Sequence, residues 1–378
     1  MSKKADNSCP VKKTSIGGQA LMEGIMMRGP EITAMAVRNT KGEMIVEKFP
    51  TESKKRAKFF KLPVIRGVFN YIDSMTMGTQ CLMRSAEIAG LEEAEEEMKL
   101  EKAAKKAAKA NGTTVEEELE NLKALEAQKI AENDAKQESG SSNNTRKKSK
   151  KNTSSMTGFV MFLSVALGIC VSVLLFILVP SYLYKLLTLA FPALAFEHNL
   201  ALQSLVKSVF EGILKIAILV GYMAAVSLMK DIKRTFMFHG AEHKTIFCYE
   251  HGLELTVENV RKQKRFHPRC GTSFLILMLL VGIFVSFFID PLFLLIFGYL
   301  PATIVRVLIK LALLPLIVGV GYELIKIAGR HNNLFTKIIS APGVWLQHVT
   351  VLEPTDDMIE CAITAVKEVI PENGSDNW

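Results

Sequence analysis

Two histidines and one glutamate in the middle of the chain have the spacing of a metal-binding helix. They are His239, Glu242 and His243, within the stretch FMFHGAEHKTIFCYEHG at 236–252. Residues four positions apart share one face of an α-helix, so the two imidazoles would point towards one place. In the inverted zincin motif H-x-x-E-H, two such histidines bind Zn²⁺ and the glutamate is the general base. The spacing therefore predicts a zinc site with Glu242 as its catalytic residue.

Two histidines do not complete a zinc site, and further candidate ligands follow closely in the chain. The stretch RFHPRCGTS places His267 and Cys270 just before a long apolar run. We predict His267 as the third ligand and Cys270 as a candidate fourth, with Glu250 and Glu323 as secondary candidates. Four protein ligands make a closed structural site, whereas three leave a position open for water, as in catalytic sites. The sequence leaves both alternatives open.

The same residues also have a non-enzymatic interpretation. A single H-x-x-E-H match arises by chance in long chains, and the cluster would then be a structural zinc knot or a hydrogen-bonded core. The surroundings of Glu242 distinguish the enzyme from the non-enzymatic scaffold. In an enzyme Glu242 is free of the metal and faces a cavity, whereas in a scaffold it is ion-paired, for example with Lys244, Arg265 or Arg269.

Four apolar runs predict the membrane-spanning helices that position these residues. Each is long enough, or nearly so, to cross a bilayer, and they occupy 157–179, 212–229, 273–289 and 307–327. The proline-interrupted stretch 180–196 is predicted to be interfacial. Asp290-Pro291 is predicted to end the third span, and the spans as drawn hold few central charges.

The distribution of basic residues predicts how these spans are oriented. The connection 230–272 contains nine lysines and arginines, whereas 180–208 contains two. The positive-inside rule therefore places 230–272, and with it both termini, in the cytosol. Glu323 lies near the cytosolic end of the last span, where it is either a metal ligand or an ion-pair partner of Lys326 or Arg330.

Residues 14–90 are predicted to form a small cytosolic α+β region. ITAMAVRN and GEMIVEKFP read as a hairpin around TKG, and a helix is predicted between Pro63 and Gly90. The stretch GGQALMEGIMMRGP at 17–30 is predicted to be a turn and a short helix whose methionines fill a core. The alternative is a flexible loop that packs over the metal site.

The remaining segments complete a mainly α membrane protein of about four transmembrane helices. Residues 1–13 are predicted to be disordered, 91–155 to be a charged helical or flexible insert, and 329–378 to be a cytosolic C-terminal region with an amphipathic helix at 356–370.

The net charge of +8 is attributed to membrane orientation and not to nucleic acid, because no nucleic-acid-binding motif is present. The six cysteines show no disulfide-like spacing, which indicates reduced thiols.

Several motifs together resemble one family. They are GGQALMEGIMMRGP, LPVIRGVFNYIDS, FHGAEHKTIFCYE, HPRCGTSFL, YELIKIAGR and APGVWLQHVTVLEP. In this order they resemble the YqhQ-like family of bacterial membrane proteins, which are described as predicted metal-dependent enzymes. The resemblance covers roughly residues 14–90 and 156–370 and sets 91–155 apart as an insert. It implies a bacterial cytoplasmic membrane protein in which His239, Glu242, His243, His267 and Cys270 belong to one site, and it implies no substrate.

These observations lead to a functional prediction with two rivals. We expect a zinc-dependent hydrolase at the cytosolic membrane surface, acting on a membrane protein or lipid, with the bilayer as its partner and no nucleic acid. The first rival is a membrane scaffold or assembly factor with a structural metal site or a His/Cys core. The second is a transporter, since Asp290-Pro291 resembles the broken helices that transporters use. The sequence leaves the oligomeric state open.

Overall fold

The structure is a computed structural model that describes residues 12–51, 57–90, 100–124 (apart from 106, 110 and 112), 163–196, 199–331 and 333–376. Residues up to Ala89 together with those from Phe176 onward form one compact unit, and residues 90–175 form a second. The predicted disordered segment 1–13 lies outside the described residues except for Lys12 and Lys13. Most of the predicted insert 91–155 also lies outside them, although 100–105 and 115–124 are helical.

A four-stranded antiparallel sheet follows the N-terminus, with β1 at Gly17–Leu21, β2 at Gly24–Arg28, β3 at Ile32–Arg38 and β4 at Met44–Pro50, in that order. The predicted hairpin around TKG is confirmed as β3–β4. The short helix predicted within 17–30 is wrong, because that stretch is the β1–β2 hairpin. The prediction that its methionines fill a core is confirmed for Met26 and Met27, which are buried, whereas Met22 is exposed.

Both faces of this sheet are covered, because successive side chains of a strand point to opposite sides. On one face the strands bury Ile25, Met27, Ala34 and Ala36 against helix α4 (Lys230–Glu250) and helix α9 (Asp356–Lys367). On the other face they bury Met26, Met35 and Val37 against helix α1 (Ile65–Ile88). The sheet therefore holds α4 in place from one side, with α9 packed beside it.

The predicted helix between Pro63 and Gly90 is confirmed as α1. Gly90 has a φ of +65°, a conformation that favours glycine and ends the helix. The first half of α1 packs on helix α7 (Thr303–Arg330). A Cβ at Gly67 of α1 would lie 2.8 Å from the Tyr322 side chain of α7.

Among the described residues, four helices are long and apolar enough to cross a membrane: α2 (Leu163–Ala190), α3 (Leu200–Val226), α6 (Gly271–Phe297) and α7 (Thr303–Arg330). The prediction that 180–196 is a separate interfacial segment is wrong as far as Ala190, because α2 continues through Pro180. A π-helical turn at Leu174–Leu178 precedes the proline and accommodates its missing N–H. A 3₁₀ turn at Pro192–Ala195 follows.

The spans are longer than predicted at the ends opposite α4. Helix α3 begins at Leu200 and includes Lys207, Glu211 and Lys215, and α6 continues without a break through Asp290 and Pro291. The prediction that Asp290-Pro291 ends a span is therefore wrong, and the observed helices include charged residues that lay outside the predicted spans. Charged side chains had been taken as span ends, but here they pair with one another inside the helix bundle.

A turn at 227–229 separates α4 from α3, so α4 is a helix of its own. A short helix α5 (Val257–Arg261) follows α4, and helix α8 (Leu334–Thr350) follows α7. The amphipathic helix predicted at 356–370 is confirmed as α9. Another 3₁₀ turn occupies Lys58–Lys61. Which side of a membrane α4 faces stays a prediction.

Candidate metal centre

Helix α4 places His239 and His243 one turn apart on one face, as the spacing predicts. Their ring centroids are 4.5 Å apart. Between them Gly240 lies directly beneath the chain that follows α8, and a Cβ at this position would overlap the carbonyl oxygen of Leu352. The glycine therefore allows a backbone segment, rather than a substrate, to approach the helix.

The carbonyl groups around the two imidazoles fix their orientation. Nδ1 of His239 lies 3.0 Å from the carbonyl oxygen of Thr350, and Nδ1 of His243 lies 2.6 Å from that of Arg265. A carbonyl oxygen only accepts, so each Nδ1 is the protonated, donating nitrogen. In the neutral form of each imidazole the free lone pair is then on Nε2, which is the atom that would coordinate a metal. Metal-binding histidines are commonly held in this way.

Cys270 completes the cluster from a different helix. It is the N-cap of α6, with Sγ accepting a hydrogen bond from the N–H of Thr272 and lying 3.0 Å from Nε2 of His239. The ligand atoms of His239, His243 and Cys270 all lie within 4.8 Å of one another. The two imidazoles hold the pKa of the Cys270 thiol well below its usual value although burial opposes this, and a helix N-terminus favours a thiolate in the same sense.

His243 has one polar atom that the protein leaves without a partner. Its Nε2 is buried, and among the described residues it has no hydrogen-bond partner. Nε2 of His239 instead contacts the Cys270 thiol, which raises the His239 pKa to about 9 despite burial. A buried, unpaired imidazole nitrogen costs free energy unless another group occupies its lone pair. The two imidazoles and the thiolate form the donor set that Zn²⁺ prefers, so they fit a zinc ion.

Glu242 lies beside this cluster and is 6% exposed. Burial raises the pKa of its carboxyl, while His239 and His243 oppose that shift. Gly18 of β1 lies against the carboxyl, since a Cβ at this position would be 3.1 Å from the Cδ of Glu242. The GGQALMEGIMMRGP stretch therefore also packs over the site, which was the alternative interpretation of that motif.

The three basic residues expected to pair with Glu242 in a scaffold protein instead pair with other carboxylates. Lys244 and Arg265 both pair with Glu353, and Arg269 pairs with Glu250. Within the part of the chain that the structure describes, no lysine or arginine forms an ion pair with Glu242. Its charge is therefore balanced only by the imidazoles beside it.

His267, the preferred third ligand of the sequence analysis, lies next to the cluster but outside it. Its ring centroid is 5.6 Å from that of His243. Nδ1 of His267 accepts the N–H of Arg269, and Nε2 faces Glu250 at 3.5 Å. Burial lowers the His267 pKa to about 4, so the ring is neutral and both nitrogens are already used. The third residue of the cluster in the structure is therefore Cys270 and not His267.

The two secondary candidates have other partners. Glu250 accepts hydrogen bonds from Arg269 and from the N–H of Thr14. Glu323 forms a two-pronged ion pair with Arg66 of α1, at 2.7 and 2.5 Å. Of the two outcomes left open for Glu323, the ion pair is observed, but its partner is Arg66 and not Lys326 or Arg330.

Sequence reasoning missed Gln347, which fixes the loop that carries Cys270. This fully buried side chain accepts the N–H of His267 at 2.8 Å and donates to the carbonyl oxygen of His267 at 2.7 Å and to Ser273 at 2.9 Å. Gln347 lies in APGVWLQHVTVLEP, one of the motifs that carry the family resemblance. A lone glutamine in an apolar helix was the available signal.

The comparisons with known proteins agree with the resemblance. A family model described as "Protein of unknown function (DUF1385)" matches residues 62–372. The "Uncharacterized protein YqhQ" of Bacillus subtilis (strain 168) is 32% identical over 362 residues, which cover 94% of this chain and 92% of that protein. No solved structure matches the chain. The chain therefore belongs to the DUF1385 family, and its predicted similarity to YqhQ-like proteins is confirmed.

Proposed function

We propose that this protein is a zinc-dependent hydrolase of the membrane surface, in which His239, His243 and Cys270 hold the ion and Glu242 is the general base. The observation that carries the proposal is the buried Nε2 of His243, which has no hydrogen-bond partner among the described residues. A core histidine would normally satisfy that atom with a protein group. Here the other two candidate ligand atoms lie within 4.8 Å of the His243 ligand atom.

Three protein ligands, rather than four, favour a catalytic site over a structural one. The fourth candidate, His267, has both ring nitrogens engaged by Arg269 and Glu250. A bound zinc ion would supply Lewis-acid chemistry and make water more acidic. The protein's own contribution is the fixed orientation of both imidazoles through their Nδ1–H groups, which limits the reorganisation needed on loading.

Glu242 has the properties of a proton acceptor in such a reaction. Its raised pKa makes the carboxylate a stronger base than an exposed one, and a general base works best when its pKa approaches the working pH. Because Gly18 lies over the carboxyl, a substrate reaches Glu242 only when the β1–β2 hairpin shifts. We place the site on the cytosolic side of a bacterial cytoplasmic membrane by the positive-inside rule, and infer a bond in a membrane protein or lipid as the substrate.

Metal content and turnover of the detergent-purified full chain test the proposal. By elemental mass spectrometry we expect about one zinc per chain in the wild type, retention in Glu242→Gln and loss in His243→Ala. His251→Ala is the matched control at the C-cap of the same helix, since His251 forms a hydrogen bond with the backbone oxygen of Phe247 and a ring contact with its side chain, outside the cluster. Against peptide, ester and phosphodiester reporters, we expect Glu242→Gln to lower turnover by about 10²–10⁴-fold. A wild type without zinc contradicts the proposal.

A structural cluster is the second candidate, and one contact favours it. The direct 3.0 Å approach of His239 Nε2 to Cys270 Sγ also suits a hydrogen-bonded or ion-paired core. In that case the purified chain carries no zinc, and Cys270→Ser preserves the fold. If zinc is present but no reporter is turned over and Glu242→Gln changes nothing, a structural zinc knot is the better account.

A further inference from the structure

A second polar cluster lies inside the bundle of apolar helices, far from the metal centre. It contains Lys207, Glu211 and Lys215 of α3, Asp290 of α6, and Arg306 and Lys310 of α7. Asp290 and Cys270 belong to opposite ends of α6, twenty residues and therefore about 30 Å apart along the helix. Ionisable side chains within membrane spans are costly and commonly mark a functional site.

The ion pairs in this cluster leave it positively charged. Glu211 has three lysines around it, with the Nζ atoms of Lys215 and Lys310 at 3.6 Å and that of Lys207 at 3.9 Å. Its remaining hydrogen bond comes from Ser181 at 2.8 Å. One carboxylate cannot neutralise three ammonium groups, so an excess of positive charge stays in a region of low dielectric constant.

The second carboxylate does not offset this excess. Asp290 accepts from Nε of Arg306 at 2.7 Å and from Ser204 at 3.1 Å, so its charge is matched by the Arg306 guanidinium. Counting only residues that the structure describes, four cations therefore surround two carboxylates. The side chains of all four cations are less than a quarter exposed, which makes screening by water weak.

A cavity of about 310 Å³ opens beside these cations. Its polar lining includes the cations Lys185, Lys207 and Arg306, the hydroxyl groups of Ser204 and Thr303, and the carboxylate of Asp290, which is paired with Arg306. The volume falls in the range of sites that hold small molecules, roughly 300–1,000 Å³. Of the three lysines around Glu211, Lys207 has the longest contact to that carboxylate and is the one that borders the cavity.

We propose that this cavity binds a phosphate group, and that the phosphate belongs to the headgroup of a membrane lipid. Phosphate oxygens accept hydrogen bonds from lysine, arginine and hydroxyl groups, which are groups that the lining offers. The cluster begins about two turns inside the bundle, close to where a headgroup ends and acyl chains begin. Next to the polar lining, Leu186 and Ile304 are half exposed or more, as suits contact with an acyl chain.

The test uses the detergent-purified full chain and three probes that separate the sources of phosphate. The probes are phosphatidic acid, diacylglycerol with the same acyl chains, and inorganic phosphate. We expect native mass spectrometry to show phosphatidic acid bound to the wild type and diacylglycerol not bound. Competition by inorganic phosphate at millimolar concentration would support the phosphate site but identify free phosphate as its ligand.

Variants locate the site. We expect Lys207→Gln to weaken phosphatidic acid binding by about fivefold, the effect of removing one cation beside a lipid phosphate. Lys310→Gln should weaken it in the same sense and serves if Lys207→Gln cannot be purified. Lys326→Gln is the matched control, because it removes a lysine from the same helix as Lys310 but about 24 Å further along. Equal binding of phosphatidic acid and diacylglycerol to the wild type, or equal binding by all variants, overturns the proposal.

Discussion

The Nε2 atom of His239 lies 3.0 Å from the Sγ atom of Cys270, although 31 positions separate the two residues in the chain. Two different helices supply them: α4 carries the histidine, and the N-terminus of α6 carries the cysteine. The contact raises the His239 pKa to about 9 and lowers the pKa of the Cys270 thiol, so it favours the thiolate form of Cys270. A thiolate that already exists is ready to bind a metal.

Replacing Cys270 by serine should remove a thiolate from the bound metal. We expect the cobalt(II)-loaded wild type to show thiolate-to-metal charge-transfer absorption in the near ultraviolet, and Cys270→Ser to lack it, because a hydroxyl is a poor ligand for a soft or borderline ion. Cys170→Ser is the control, since Cys170 is an exposed free thiol outside the cluster. Retention of the band in Cys270→Ser would mean that another cysteine supplies the ligand.

Replacing His267 should leave the metal in place. His267→Asn keeps a side-chain acceptor for the Arg269 N–H but lacks the ring nitrogen that faces Glu250. We expect unchanged zinc content by elemental mass spectrometry and a loss of about 1–3 kcal/mol in the free energy of unfolding, because Glu250 loses a buried partner. His243→Asn, measured alongside, should lose the zinc. If His267→Asn also loses it, the site has four ligands and is structural.

The part of the site that lies within one helix could be predicted, and the part that depends on tertiary contacts could not. The spacing of His239 and His243 fixes their common face in any helix. Choosing between His267 and Cys270 requires knowing that Glu250 and Arg269 occupy the His267 ring. Those contacts join α4 to the loop before α6, and no local pattern specifies them.

The fold likewise has parts that local sequence patterns predict and parts that depend on tertiary contacts. The β3–β4 hairpin, α1, α9 and the number of candidate spans follow from periodicity and turn residues in the sequence. The span ends were misplaced because Lys207 and Asp290 had been read as residues outside a membrane helix. Their partners Glu211 and Arg306 lie on other turns or helices, and pairing of this kind is not visible in hydropathy.

Adding a methyl group at Gly240 should disrupt the support of His239. In Gly240→Ala the new Cβ would overlap the carbonyl oxygen of Leu352, a backbone atom that cannot move without shifting the Thr350 carbonyl as well. We expect about 1–3 kcal/mol or more of lost stability, measured by denaturation in detergent, together with weaker zinc binding. Gly221→Ala, which has open space around it, should be neutral or stabilising by up to about 1 kcal/mol. Equal stability of the two variants would show that the chain over Gly240 packs elsewhere.

Removing the Glu323 carboxylate should affect stability but not metal content. Glu323→Gln breaks the two-pronged pair with Arg66, through which α1 is held on α7. Because both side chains are partly accessible, we expect a coupling of about 1 kcal/mol in a double-mutant cycle with Arg66→Met. Zinc content should match that of the wild type. A loss of zinc in Glu323→Gln would instead make this carboxylate part of the metal centre.

Replacing Gln347 should weaken metal binding through the position of Cys270, since Gln347 touches none of the three ligands. Its amide makes three hydrogen bonds to the loop 267–273. Gln347→Leu keeps the volume but leaves His267 N–H and C=O unpaired in a buried place, so the loop should relax. We expect zinc affinity, measured by chelator competition, to fall by about 10–100-fold while the near-ultraviolet cobalt–thiolate band persists at saturating metal. Gln203→Leu is the control, since Gln203 lies on α3 beside the separate phosphate-binding cavity. An unchanged affinity in Gln347→Leu would show that the cap of α6 alone positions the thiolate.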